Sequence, residues 1–260
     1  MTMLKKRKII ITGASKGIGR SIANKFAKNK FDIFLISSNK NNLIDTAKEI
    51  ENKHGVKAYY CPTNLKKEEG CNYAIQEIKT NFNDFDTIIF CAGDTKSGDL
   101  LSQPIEEYFD GFALKFFSVV RLTKTLWNNL KKNKGWIVII NGAMAHTPDP
   151  NFMVGGSVNA ALQNFSKALS KKGIMEGINV NTINPGMTST ERLISIIKSN
   201  AKRENISFAK AKKNALASAN LNRFSSPEEV AEVAYFLCQE NIRHLNGTVI
   251  NLDGGKKPTI

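Results

Sequence analysis

The residues of this chain best suited to chemistry start at position 12, where Thr12-Gly13-Ala14-Ser15-Lys16-Gly17-Ile18-Gly19 follows the apolar run Ile9 to Ile11 and opens an amphipathic stretch. Glycines so placed between a strand and a helix form a phosphate cradle. Gly13 permits a tight turn, Gly17 lets the main chain approach a pyrophosphate, and Gly19 lets the helix lie close on the sheet. The unpaired N–H groups and the dipole of the helix start attract negative charge. A dinucleotide is the expected ligand, with Gly13, Ser15, Lys16, Gly17, Ile18 and Gly19 lining its site.

A second group of residues bears on which dinucleotide. The end of the second strand is where a carboxylate accepts the adenosine ribose hydroxyls of NAD. Here the chain has Ser37-Ser38-Asn39-Lys40. Asp32 lies at the wrong end of that strand and Asp45 a turn or more into the next helix. Without an acid to repel a 2′-phosphate, and with Ser37, Ser38, Lys16 and Lys40 able to donate to it or attract it, NADP(H) is favoured over NAD(H). Further along, His146 falls in a loop where substrate would sit. It is a candidate proton donor near neutral pH, or simply an exposed loop histidine. Asn141, just before it, can polarise a carbonyl but cannot act as an acid. Cys61, Cys71, Cys91 and Cys238 show no C-x-x-C spacing, so no metal site is expected.

These residues need a scaffold, and the apolar pattern supplies one. Short apolar runs alternate with longer amphipathic ones, which predicts an α/β, Rossmann-type doubly wound parallel sheet of about seven strands with helices on both faces. Strands are expected around Lys8 to Thr12, Phe31 to Ile36, Val56 to Cys61, Asp86 to Cys91, Trp136 to Asn141, Ile178 to Ile183 and Thr248 to Asn251. With 260 residues, 42% of them hydrophobic, a single domain over 1–260 is expected. Within it, 188–222 reads as either a substrate lid or a surface helical pair.

Composition narrows the partners. The basic start from Met1 to Lys8 leads into too short an apolar stretch for a signal peptide, and no run of ~18 apolar residues exists to cross a membrane. A cytoplasmic location with reduced thiols is expected. The net charge of +14 suggests nucleic acid or an anionic substrate. Its lysines are spread over almost every expected helix without interleaved aromatics, so a small-molecule substrate is the better expectation and nucleic acid a poor one.

The spacing Thr-Gly-x-x-x-Gly-x-Gly resembles the short-chain dehydrogenase/reductase family. Three landmarks agree in order along the chain: Cys91-Ala92-Gly93 is similar to the family's Asn-Asn-Ala-Gly, Asn184-Pro185-Gly186 to its Pro-Gly motif, and Leu252-Asp253-Gly254-Gly255 to its Asp-Gly-Gly. The resemblance implies that Asn64, with Leu65, stands where the family binds adenine. It also implies that Ala92, Gly93, Pro185 and Gly186 line the cofactor. Thr188 would then contact the nicotinamide carboxamide, unless it only caps the next helix.

The same resemblance exposes a departure. The family's catalytic Ser falls on Gly142, its Tyr and Lys on Gly155 and Asn159, and its fourth-helix Asn on Ala113. None of Tyr59, Tyr60, Tyr73, Tyr108 or Tyr235 precedes a lysine by four positions. Tyr108 and Lys115 have the wider spacing of the superfamily's enoyl reductases but lie one helix too early, so no role is assigned to them. The helix after the fifth strand keeps its apolar face through Ala160, Leu162, Phe165, Ala168 and Leu169. Two reasons stand open: packing in a homodimer or homotetramer through the fourth and fifth helices, or a site where Asn159 holds the nicotinamide ribose while Gly142 and Gly155 leave space for a bulkier substrate. The functional expectation is an NADP(H)-binding oxidoreductase with an atypical active site, the candidates there being His146, Asn141 and Asn159. The alternative is a catalytically silent NADP(H)-binding sensor or partner subunit.

Overall fold

The computed structural model describes residues 6–257, so the first five residues of the basic start and the last three of the expected domain span lie outside the described residues. Seven parallel strands form one sheet in the order β3-β2-β1-β4-β5-β6-β7. They are β1 (Lys8–Thr12), β2 (Asp32–Ser37), β3 (Ala58–Pro62), β4 (Thr87–Phe90), β5 (Trp136–Ile140), β6 (Asn179–Pro185) and β7 (Val249–Leu252). The expected doubly wound sheet is present, with boundaries shifted by one or two residues. β-Branched runs such as Ile9-Ile10-Ile11 and Ile137-Val138-Ile139-Ile140 suit strands covered on both faces, and these are buried.

Helices α1 (Gly17–Lys28), α2 (Lys40–His54) and α9 (Pro227–Phe236) cover one face, where Ile22, Phe26, Leu43, Ile50 and Val230 meet Ile9, Ile11 and Leu35. On the other face α3 (Glu68–Asn81), α5 (Ser118–Lys132) and α6 (Met153–Ile174) bring Ile78, Leu122, Leu126 and Leu162 against Ile10, Ile88 and Ile137. The order reverses at β1, so the crevice between the carboxyl ends of β1 and β4 is the place where such sheets take a ligand.

Two local features shape that end. Helix α4 (Ile105–Phe112) runs into α5 through a π turn at Ala113–Phe117, an irregularity that rotates the side chains it carries. The stretch 188–222 forms α7 (Glu191–Arg203) and α8 (Phe208–Ser218) around a small core of Ile197, Ala201 and Ala211. Thr190 caps α7 by accepting from the Leu193 N–H, whereas Thr188 is buried and its hydroxyl lies 3.0 Å from that of Ser225. The capping role open for Thr188 therefore belongs to Thr190. Among the described residues no helix is long and apolar enough to cross a membrane.

Candidate active site

Between β1 and α1 the glycines make the tight turn and close approach that their spacing demands. Gly13 has φ +68° and Gly17 φ +53°, conformations costly for other residues. A Cβ on Gly13 would stand 2.8 Å from the Ala92 nitrogen, and one on Gly19 only 2.2 Å from the Gly13 oxygen. The Thr12 hydroxyl accepts from the N–H groups of Cys91 and Ala92 at 3.0 and 3.1 Å, tying the cradle to the end of β4. Ser15 and Ser37, 2.8 Å apart, join the cradle to the end of β2.

Lys16, Ser38 and Lys40 are exposed nearby, and Ile18 packs on the core beneath them. Asp32 sits at the opposite end of β2, pairing with Lys6 and accepting from the Lys57 N–H. Asn64 is exposed and its side chain accepts from the Lys66 N–H, while Leu65 is buried. Across the crevice, Pro185 is buried, and Gly186 lies so close to the Asp253 backbone that a Cβ would meet it at 2.8 Å. The Asp253 carboxylate accepts from the Gly255 and Lys257 N–H groups, which gives the Asp-Gly-Gly motif a structural task.

The carboxyl ends of β4 and β5 hold a polar cluster. Asn141, at the end of β5, donates to the Asn159 carbonyl at 3.0 Å; Asn159, on α6, is 3% exposed. The Gly142 N–H donates to Asn184, whose amide donates to Gln163 and Asn251. The π turn points Lys115 into this cluster. Its Nζ lies 2.6 Å from Asn159 Oδ1 and 3.2 Å from the Asn141 carbonyl, and its stem runs beside exposed Gly93. Desolvation, with Arg192 nearby, pulls the ammonium down to about 8, against a smaller opposing effect of Cys91. The Cys91 thiol is itself pushed up to about 12 by burial, and so stays protonated.

Lys115, to which the sequence assigned no role beside Tyr108, is the residue the fold brings into this cluster. The helix presents it, rather than Ala113, to Asn159. A signal existed: Lys115 is the sole charged residue between Asp110 and Arg121, in the run Phe112-Ala113-Leu114-Lys115-Phe116-Phe117. The open space expected at Gly142 and Gly155 is another correction. A Cβ on Gly155 would fall 1.9 Å from the Phe152 ring, and one on Gly142 2.7 Å from the Asn159 amide nitrogen, so both places are filled from within the chain. His146 is exposed and its ring has no hydrogen bond or ion pair among the described residues.

The model of the short chain dehydrogenase family matches residues 7–201, and the chain belongs to that family. It is similar to a 3-oxoacyl-[acyl-carrier-protein] reductase, FabG, of Aquifex aeolicus, with 30% identity over 95% of both chains. It is 28% identical to the NADPH-dependent reductase BacG of Bacillus subtilis over 99% of this chain and all of that one. Among solved structures, L-sorbose reductase from Gluconobacter frateurii, complexed with NADPH and L-sorbose, superposes with a TM-score of 0.94 at 28% identity, and all of both chains is covered.

Proposed function

We propose that this chain is an NADP(H)-dependent oxidoreductase acting on the carbonyl or alcohol of a small molecule through an atypical active site. The carrying observation is the polar cluster of Lys115, Asn159 and Asn141 at the carboxyl ends of β4 and β5. Polar and charged groups withdrawn from water are costly to keep, and a protein that only held a nucleotide could fill this space with apolar side chains.

The cradle residues fit a dinucleotide: two glycines at positive φ, the close approaches at Gly13 and Gly19, and a helix start free of acidic side chains. Gly13, Ser15, Lys16, Gly17, Ile18 and Gly19 would hold the pyrophosphate. Ser37, Ser38 and Lys40 would hold the 2′-phosphate, and Asn64 and Leu65 the adenine. Ala92, Gly93, Asn159, Pro185, Gly186 and Thr188 would line the nicotinamide half. Bound there, the cofactor supplies or accepts hydride. The NADPH-dependent reductase among the relatives and the NADPH complex of L-sorbose reductase support NADP(H).

The site departs from the family pattern at Gly142, Gly155 and Asn159, but Lys115 returns an ammonium to Asn159, so the lysine and amide have exchanged places. Exposed Ile105 and Phe109 on α4 and Phe117 in the π turn favour assembly into a homodimer or homotetramer. The stretch 188–222 would act as a lid, a reading supported by Arg192 of α7, which donates to the Thr95 and Gly93 carbonyls across the crevice.

One observation favours a second reading, a silent NADP(H)-binding subunit: the Phe152 ring occupies the space above Gly155. Calorimetric titration with NADPH and NADH, followed by NADPH oxidation with a panel of ketones and aldehydes, separates the two. Tighter NADPH binding with turnover is expected. Binding without turnover would favour the silent subunit, and equal affinities would remove the NADP(H) preference.

A further inference from the structure

We propose that Lys115 is the proton donor of this site, delivering a proton from its ammonium to the carbonyl oxygen of the substrate; the inference rests on the oxidoreductase reading above. An ammonium has three N–H donors. Two are committed, to Asn159 Oδ1 and to the Asn141 carbonyl, and these fix the direction of the side chain. The third has no acceptor among the described residues. The stem passes Gly93, an exposed glycine at the end of β4, and the Lys115 side chain is half-buried, so the crevice beside Gly93 is the side from which a substrate would approach the ammonium.

The surroundings leave the proton mobile. No carboxylate forms an ion pair with Lys115 among the described residues. From α7 it is faced by Arg192, which bonds the Gly93 and Thr95 carbonyls and pairs with Asp94 at 3.6 Å, and from β4 by the neutral Cys91 thiol; Asn141 and Asn159 on β5 and α6 offer only amides and carbonyls. Loss of solvent and the neighbouring guanidinium bring the ammonium to about 8, the range in which a general acid is both charged at neutral pH and able to release its proton. The other candidates are less well placed. His146 is exposed and unpartnered, and Tyr108 has its hydroxyl buried without a hydrogen-bond partner.

The step balances with a reduced nicotinamide dinucleotide as reductant. The carbonyl carbon gains a C–H bond from the hydride and is reduced, while the dinucleotide is oxidised. The carbonyl oxygen gains an O–H bond as one Nζ–H bond breaks, and Lys115 is left as a neutral amine that takes a proton from solvent. An oxidised nicotinamide is positive, so its arrival beside Lys115 should expel that proton, whereas the neutral reduced ring should not.

The first test needs no substrate. Titrations of the unmodified chain with NADP+ and with NADPH at pH 8, in phosphate and in Tris, count the protons released from the difference in buffer ionisation heat. Release on binding NADP+ but not NADPH, lost in Lys115→Met and in Lys115→Arg, is expected; equal proton counts for the two nucleotides would overturn the proposal. The second test is turnover of the ketone and aldehyde panel. Lys115→Met should lower kcat by ~10²- to 10⁴-fold with NADPH affinity nearly kept, and the parent kcat should fall above about pH 8. Lys115→Arg retains the charge but holds its proton too firmly, so it should stay slow; restored turnover there would make the role one of charge alone and overturn the donor assignment. Turnover that survives in Lys115→Met overturns the donor and leaves the oxidoreductase reading intact. A parent that binds NADPH and reduces nothing in the panel overturns that reading and the donor with it.

Discussion

The two edges of the sheet treat positive charge in opposite ways. At the amino edge the Arg7 guanidinium lies 2.9 Å from Asp86, donates to the Cys238 carbonyl and the Thr87 hydroxyl, and stacks over Phe31 and Trp136 with centroids 4.5 and 4.2 Å away. Arg243 covers Trp136 as well, at 3.9 Å, and pairs with Glu240. Both guanidinium groups there have an anion and a packing surface. At the carboxyl edge Lys115 has amide and carbonyl acceptors but no carboxylate among the described residues, and Arg192, itself paired with Asp94, approaches with a like charge. A charge answered by a carboxylate holds a fold together. One left without a carboxylate stores a proton at a cost in stability.

That contrast can be broken first by stability. Arg7→Ala strands Asp86 and removes two cation–π contacts, and urea unfolding should show a loss of about 3 kcal/mol. Lys115→Met should show no loss, because an apolar side chain replaces a charge that lacks a counter-ion. Equal destabilisation of the two would erase the distinction between the edges.

Gly19→Val drives a side chain into the Gly13 carbonyl, so it should abolish NADPH binding and also cost about 2 kcal/mol through overpacking. Calorimetry and thermal melts check both, and intact affinity would place the nucleotide elsewhere. Gly17→Ala meets only the Thr190 side chain but carries the strain of φ +53°; it should weaken binding and cost about 1 kcal/mol in a chain that still melts cooperatively.

The pH dependence sharpens the comparison further. Lys115 has a folded-state pKa lowered to about 8 from 10.5. Between those values the unfolded chain binds the additional proton, so stability should rise with pH through that window, and the penalty should be fully present below it. Melts from pH 7.5 to 10.5 should show the parent gaining on Lys115→Met; a parallel course would mean that Lys115 is ordinarily solvated.

Smaller effects come last. Thr190→Ala removes the α7 cap and should cost about 1 kcal/mol, read most directly as faster amide exchange in 191–203. His146→Ala should change turnover less than the ~10²-fold minimum that loss of a general acid brings, and a larger fall would return the donor role to the loop.

What could be read directly from the residues follows a local rule. All seven strands lie near their apolar runs; β1, β2, β4 and β5 are covered on both faces and need little beyond continuous apolar side chains, while the edge strands β3 and β7 are partly exposed. The glycine cradle is legible for the same reason: turn, φ and helix approach involve neighbours within eight residues. The capping of α7 was ambiguous by two positions. Thr188 and Thr190 are equally good caps by type, and only the Ser225 partner separates them.

By itself, then, the sequence determined the doubly wound sheet, the glycine turn between β1 and α1 and the absence of an acid at the end of β2, since each depends on residue type and short spacing. Only the tertiary structure decided what gathers at the carboxyl ends of β4 and β5. Lys115 and Asn159 are separated by 44 positions, and their contact needs a π turn to rotate one helix, the sheet to bring a second beside it, and Phe152 to fill the place above Gly155. Reach and packing in three dimensions set that arrangement, and no periodicity along the chain encodes them.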